Sequence, residues 1–184
     1  LDADDRTVIG DPNPDFTYGF STSFTWKDLT FSAAFDGSYG NELVNANLAQ
    51  STDTRKMSSA TNYVNILRDA FYDAWTPQNP DAKYPALNSF LLEDIRRFQD
   101  RWVEDASYLR ISNVSLSYRI PLPKNKVIQR MSAGISASNL YVFTKYSGWD
   151  PEVSSYGSSM TRIGIDIGSY PTARTFSFDL KFTF

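Results

Sequence analysis

Residues 174–184 alternate without a break. Phe176, Phe178, Leu180, Phe182 and Phe184 fall on one side of an extended chain, and Thr175, Ser177, Asp179, Lys181 and Thr183 on the other. Successive side chains of a strand point to opposite faces, so this stretch reads as a strand with one wholly apolar face and one wholly polar face. Two architectures accept such a strand. In a soluble sandwich the phenylalanines turn into a core. In a transmembrane β-barrel they face lipid and the polar residues line the interior. The rest of the chain has to decide.

The 184 residues are enough for one domain with a core. With 21 acidic and 18 basic residues and no basic block, the chain carries no electrostatic footprint for nucleic acid. It has no cysteine and no histidine, which removes thiol nucleophiles, disulfides, zinc clusters and His-based triads. No cofactor is expected, nor enzymatic activity. Carboxylate pairs remain, Glu104 with Asp105 and Asp150 with Glu152; sequence neighbours on a strand point apart, so Glu104 and Asp105 are poorly placed for a shared cleft. No run approaches the roughly 18 apolar residues of a membrane helix. A barrel escapes that test, because only alternate residues meet lipid. The first residue is Leu1, and Leu-Asp-Ala-Asp-Asp-Arg has neither the basic nor the apolar region of a signal peptide. A mature product or a fragment is expected.

The pattern predicts strands at about 15–27, 29–40, 108–120, 131–143 and 174–184. Phe16, Tyr18, Phe20, Phe24 and Trp26 share one face of the first, and almost uncharged small residues the other. Only Lys27 and Asp28 separate the first two strands, which is a tight hairpin. Residues 41–107 are a long excursion in which Tyr63, Ile66, Leu67, Ala70, Phe71, Ala74 and Trp75 recur at helical spacing, with Ser59 or Thr61 to cap and Pro77 to stop. A weaker helical stretch spans about 89–98. In the fourth strand the alternation slips near Leu140–Phe143, which predicts a bulge or an interfacial aromatic cluster. The acidic segment 1–14 lacks EF-hand spacing and reads as a solvated loop.

Two regularities favour the barrel. The in-strand charges Asp36, Asp179 and Lys181 all fall on the non-aromatic face. Arg110 and Arg174 break that parity, and both sit beside long loops where they are expected to snorkel to headgroup level. The connections also alternate: short at 27–28 and 121–130, long at 41–107 and 144–173. Outer-membrane barrels sort their loops this way. The segments 1–14, 41–107 and 144–173 are thus expected outside the cell. Trp26, Tyr118 and Phe184 fall near one membrane interface, and Phe16, Tyr18 and Tyr39 near the other. Five strands cannot close a barrel, which takes about eight, so the chain is expected to be the C-terminal portion of a larger one.

Four stretches carry a family resemblance: Asp5–Phe16 (DRTVIGDPNPDF), Asp100–Arg110 (DRWVEDASYLR), Ser138–Leu140 (SNL) with Tyr146–Glu152 (YSGWDPE), and Gly168–Phe176 (GSYPTARTF). In this order they resemble the C-terminal end of the SusC/RagA family of TonB-dependent outer-membrane transporters. The resemblance implies a plugged barrel of about 22 strands, localisation in the Gram-negative outer membrane, TonB-coupled uptake of glycans or peptides, and a SusD-like surface lipoprotein as lid. Partners would be the remainder of the barrel and its plug, that lipoprotein, the TonB complex through a part lying outside this chain, and membrane lipid. Phe178, Leu180, Phe182 and Phe184 resemble the C-terminal signal read by the barrel-assembly machinery. Trp75, Tyr84, Trp102, Trp149 and Tyr156 are loop aromatics able to stack on a ligand, or equally to pack the loops together. The alternative function is a soluble β-sandwich binding module or adhesin.

Overall fold

The computed structural model describes residues 6–53, 65–87, 99–123, 127–153, 155 and 163–184. The described chain divides into two compact units.

One unit, residues 13–41, 105–152 and 170–184, holds a five-stranded antiparallel sheet. Its strands are β1 (Phe16–Trp26), β2 (Leu29–Tyr39), β5 (Tyr108–Ile120), β6 (Arg130–Thr144) and β8 (Thr175–Thr183), in the order β1-β2-β5-β6-β8. Period-two alternation in each strand becomes continuous rows across the sheet. Phe24 pairs with Phe31, then Leu116, Ile135 and Phe178. One residue away on the opposite face, Ser23 pairs with Ser32, Ser115, Ser136 and Ser177. The Ser23 and Ser32 hydroxyls hydrogen-bond at 3.0 Å.

Register also sorts the charges. Asp36, Arg110, Arg119, Arg130, Asp179 and Lys181 are the charged residues of these five strands, and all lie on the serine face. The phenylalanine face is open: Phe20, Phe24, Ile135, Phe176 and Phe178 are all exposed. A soluble sandwich buries such a face, so the sandwich alternative does not describe this sheet.

Small residues permit close approaches within the wall. Gly37 has no side chain to obstruct Tyr18, whose ring lies across it and whose hydroxyl donates to the Tyr108 carbonyl at 2.9 Å. At the 27–28 turn, which lacks glycine, Lys27 itself takes the left-handed conformation at φ 53°, and its ammonium sits 5.0 Å from the Trp26 ring. Aromatics gather toward both ends of the sheet. Phe16 stacks on Tyr39 at 5.3 Å at one end, while Trp26, opposite Leu29, and Tyr118 lie at the other.

Two irregularities interrupt β5 and β6. Ser112 is an extra residue relative to β2, and Asn139–Leu140 together face Ser112 from β6. Asn139 adopts φ 53°, a conformation asparagine tolerates better than most residues. The predicted slip near Leu140 is therefore a bulge. The predicted aromatic cluster is present too, with Tyr141 and Phe143 edge to face at 4.7 Å.

The other unit collects residues from 1–12, 42–104 and 153–169. Its sheet is β4-β3-β7: β3 (Glu42–Asn45), β4 (Val103–Asp105) and β7 (Ile165–Asp166), with β3 and β7 parallel. Asn45 caps the helix α1 (Ala46–Ser51) by accepting from the Leu48 amide at 2.9 Å. None of these short elements follows from the sequence pattern, because two to six residues are too few to show a period.

The long amphipathic helix expected around Tyr63–Trp75 is not observed in the described part. Tyr63, Ser59, Thr61 and the stretch 89–98 lie outside the described residues. Helix α2 covers only Arg68–Tyr72. The chain leaves the helix at Asp73, well before Pro77. Its carbonyl accepts from the Tyr84 amide at 3.2 Å, and Ala74 bridges to Tyr84. Facing is inverted as well: Ala70 and Ala74 are buried, while Leu67, Phe71, Tyr72 and Trp75 are exposed.

Candidate functional site

The bulge at Ser112 has a chemical result. It reverses the parity of everything before it in β5, so Arg110 turns to the polar face opposite Asp36. Snorkelling by Arg110, as sequence parity suggests, is thereby corrected. Its guanidinium lies 3.2 Å from the Asp150 carboxylate and pairs with Glu152, with the Arg110 and Asp150 side chains 8% and 6% exposed. The Tyr108 ring lies 5.1 Å from the same guanidinium.

Asp150 is a hub. Oδ1 accepts from Arg110 and from the Glu152 amide at 3.0 Å; Oδ2 accepts from the Thr172 hydroxyl at 3.0 Å and its amide at 3.3 Å. Asn139 at the bulge donates its side-chain amide to the Ala173 carbonyl at 3.2 Å. Three of the four stretches that carry the family resemblance thus meet here: Arg110 from the second, Asn139, Asp150 and Glu152 from the third, Thr172 and Ala173 from the fourth. The signal that could have found Arg110 was the parity break around Leu109–Ile111, which marks an added residue in a strand.

Beside the hub is a cleft of about 300 Å³ lined by Arg110, Asn139, Tyr141, Trp149, Thr172 and Arg174, among others. Trp149 is 78% exposed. Arg174 lies just before β8 and is exposed. Among the described residues it has no ion-pair or hydrogen-bond partner.

The other loop aromatics fall out differently. Tyr84 is 9% and Trp102 5% exposed, so both rings pack inside their own unit. Arg101 lies 4.8 Å from the Trp102 ring, and burial pushes its guanidinium down against the opposing pull of Asp100. Trp75 is exposed beside its backbone pairing with Tyr84. Tyr156 lies outside the described residues. Trp75, Tyr84 and Trp102 belong to one unit and Trp149 to the other. In β8, Phe178, Leu180 and Phe182 pair with Ile135, Ala133 and Met131 on the apolar face, and Phe184 follows, exposed.

The carboxylate pairs are engaged. Glu104 accepts from Asn45 at 3.1 Å. Hydrogen bonds from the Ser107 hydroxyl and amide hold the Asp105 carboxyl below the usual carboxylate range. Asp150 and Glu152 hold Arg110. Among the described residues no group of three or more metal-ligating side chains is gathered, and no helix is long and apolar enough to cross a membrane.

A sheet that exposes one unbroken apolar face and directs every charge to the other is a segment of a transmembrane β-barrel wall. No protein-family profile matches the chain. The TonB-dependent receptor P3 of Formosa agariphila is 35% identical over 98% of this chain, which covers 17% of that protein. The TonB-dependent receptor SusC of Bacteroides thetaiotaomicron is 26% identical over the whole chain and 16% of its own length. The solved RagAB peptide importer in its open-open state superposes with a TM-score of 0.79 at 26% identity, over all of this chain and 19% of that one. The chain thus spans less than a fifth of the length of these relatives, and it is similar to a segment of TonB-dependent receptors and of the RagAB importer.

Proposed function

We propose that this chain supplies barrel wall and ligand-side loops to an outer-membrane, TonB-dependent importer of glycan or peptide nutrients. The observation that carries this is the pair of rows across five strands, phenylalanine, leucine and isoleucine on one face and serine on the other. The first suits lipid. The second suits a hydrated interior facing a plug or a passing solute. Its likeness to SusC and to a solved peptide importer supports the nutrient class.

In this reading the turn at 27–28 and the connection 121–130 face the periplasm, and 1–14, 41–107 and 144–173 face outward. A SusD-like surface lipoprotein closes over the outward loops, and TonB acts through the rest of the protein. Among the loop aromatics Trp75 offers an exposed ring suited to stacking on a sugar. Tyr84 and Trp102 stiffen the loops from within. Catalysis has no part in this reading.

The test uses the full-length protein in its own host. Deletion should abolish growth on one glycan or peptide class while leaving simple sugars usable, and the protein should fractionate with outer membranes and co-purify with a surface lipoprotein. A full-length protein that is soluble without detergent sinks this reading.

A further inference from the structure

We infer that the loop-bearing end of β6 and β8 holds a phosphate-bearing lipid, with the headgroup at Arg174 and one acyl chain over Ala137. This rests on the transmembrane reading above and assigns a specific ligand to one place on the lipid face.

Two neighbouring hollows carry the inference. The first is a groove of about 530 Å³ on the apolar face, lined by Leu116, Ile135, Ala137, Leu140, Phe176 and Phe178 among others. It exists because alanine stands at 137, between bulkier neighbours and opposite Val114 and Phe176. A gap among phenylalanines, leucine and isoleucine accepts a hydrocarbon chain and offers a polar ligand nothing. The second hollow is the cleft at Arg174. The two are contiguous along the chain on both strands: Leu140 lines the groove and Asn139 and Tyr141 the cleft, while Phe176 lines the groove and Arg174 the cleft.

Charge decides the occupant of the cleft. Arg110 is neutralised by Asp150 and Glu152. The Asp150 oxygens, the Thr172 hydroxyl and the Asn139 amide are already engaged within the protein. What remains is Arg174, which has no ion-pair or hydrogen-bond partner among the described residues and lines a cleft shared with Tyr141 and the exposed Trp149. Arg174 shares parity with Phe176 and Phe178, the lipid-facing set. β6 runs past the start of β8, since their pairing ends at Ser138 and Thr175, and Tyr141 beyond that point lines the same cleft as Arg174. Aromatic rings with a polar edge and a snorkelling cation are what a headgroup region accommodates. A guanidinium with free donors pairs with phosphate bidentately.

The experiment takes the full-length transporter in detergent and measures bound ligand by native mass spectrometry. The probes are dioleoyl phosphatidic acid, dioleoylglycerol with the same chains but no phosphate, and inorganic phosphate. Phosphatidic acid should bind in preference to either part alone. Arg174→Gln should weaken it by about tenfold, the scale of one lost charge-assisted pair, while Arg174→Lys retains part of the affinity. Ala137→Phe should fill the groove and weaken phosphatidic acid without changing the response to inorganic phosphate. Arg174 lies in an exposed segment, so its variants test the headgroup half even where Ala137→Phe does not fold. Equal binding by Arg174→Gln and the unaltered protein overturns the proposal. So does dioleoylglycerol binding as tightly as phosphatidic acid, or inorganic phosphate doing so. Each of these failures leaves a detergent-dependent transporter, and so is distinct from failure of the importer reading.

Discussion

The Arg110 guanidinium meets the Asp150 carboxylate at 3.2 Å, with both side chains more than nine-tenths buried. Two consecutive irregularities in the wall make this contact, one turning Arg110 inward and the other placing Asn139 against the segment before β8. Breaking such a pair by removing one partner leaves a buried charge uncompensated, which costs about 3–5 kcal/mol. Asp150→Ala should fall near the low end, because Glu152 still meets Arg110. Replacing both partners, Arg110→Met with Asp150→Leu, should recover most of the loss. Heat-modifiable electrophoretic mobility of the full-length barrel measures both, and an additive double variant would count against the pair.

The facing of β8 makes a second prediction. Phe178→Arg puts a guanidinium on the lipid side and should cost about 2–4 kcal/mol at mid-bilayer. Ser177→Arg, its neighbour in the serine row, should be tolerated. The readout is the yield of folded protein in the outer membrane, and equal yields would refute the assigned faces.

Asn139 offers a third. At φ 53° a β-branched residue is strained, so Asn139→Val should destabilise by about 1–3 kcal/mol through strain and the lost contact to the Ala173 carbonyl. Asn139→Gly relieves the strain and loses only the hydrogen bond, so it should melt above Asn139→Val. The opposite order would mean that the bulge tolerates any residue.

A fourth concerns acid. The Asp105 carboxyl is depressed by its Ser107 hydrogen bonds. A depressed carboxylate contributes stability that is present above its ordinary value, near about 3.9, and disappears as pH falls through its lowered folded value. The carboxylate is half exposed, so the contribution is small. Asp105→Asn should flatten that acid limb, seen as a smaller drop in melting temperature on acidification below about pH 4. An unchanged slope would assign the acid sensitivity to other groups.

The long strands were legible because a period of two repeats five or more times in each: Phe16 to Trp26, Leu29 to Tyr39, Phe176 to Phe184. The facing of Asp36, Asp179 and Lys181 followed from the same count. Arg110 did not, because one inserted residue inverts parity and nothing in Leu109–Asn113 says where the insertion lies. The hub at Asp150 was equally hidden. Asp150 and Glu152 read as a candidate acid pair until folding set Arg110 between them. Among the loop aromatics, Tyr84 and Trp102 could not be told from Trp75 and Trp149 by residue type, since burial of a ring depends on contacts made from distant parts of the chain.

The parallel pairing of Val44–Asn45 with Ile165–Asp166 joins points about 120 residues apart and sets an order of events. In the wall β1–β2 and β5–β6 close locally, while β2–β5 and β6–β8 span the long connections; in the small sheet neither pairing is local, so two separate returns of the chain have to coincide. Closing so wide a loop is entropically expensive and is recovered only when all its contacts form together. The loop unit is therefore expected to form after the local hairpins β1–β2 and β5–β6. During assembly it should stay open to an added protease after those local hairpins have become resistant.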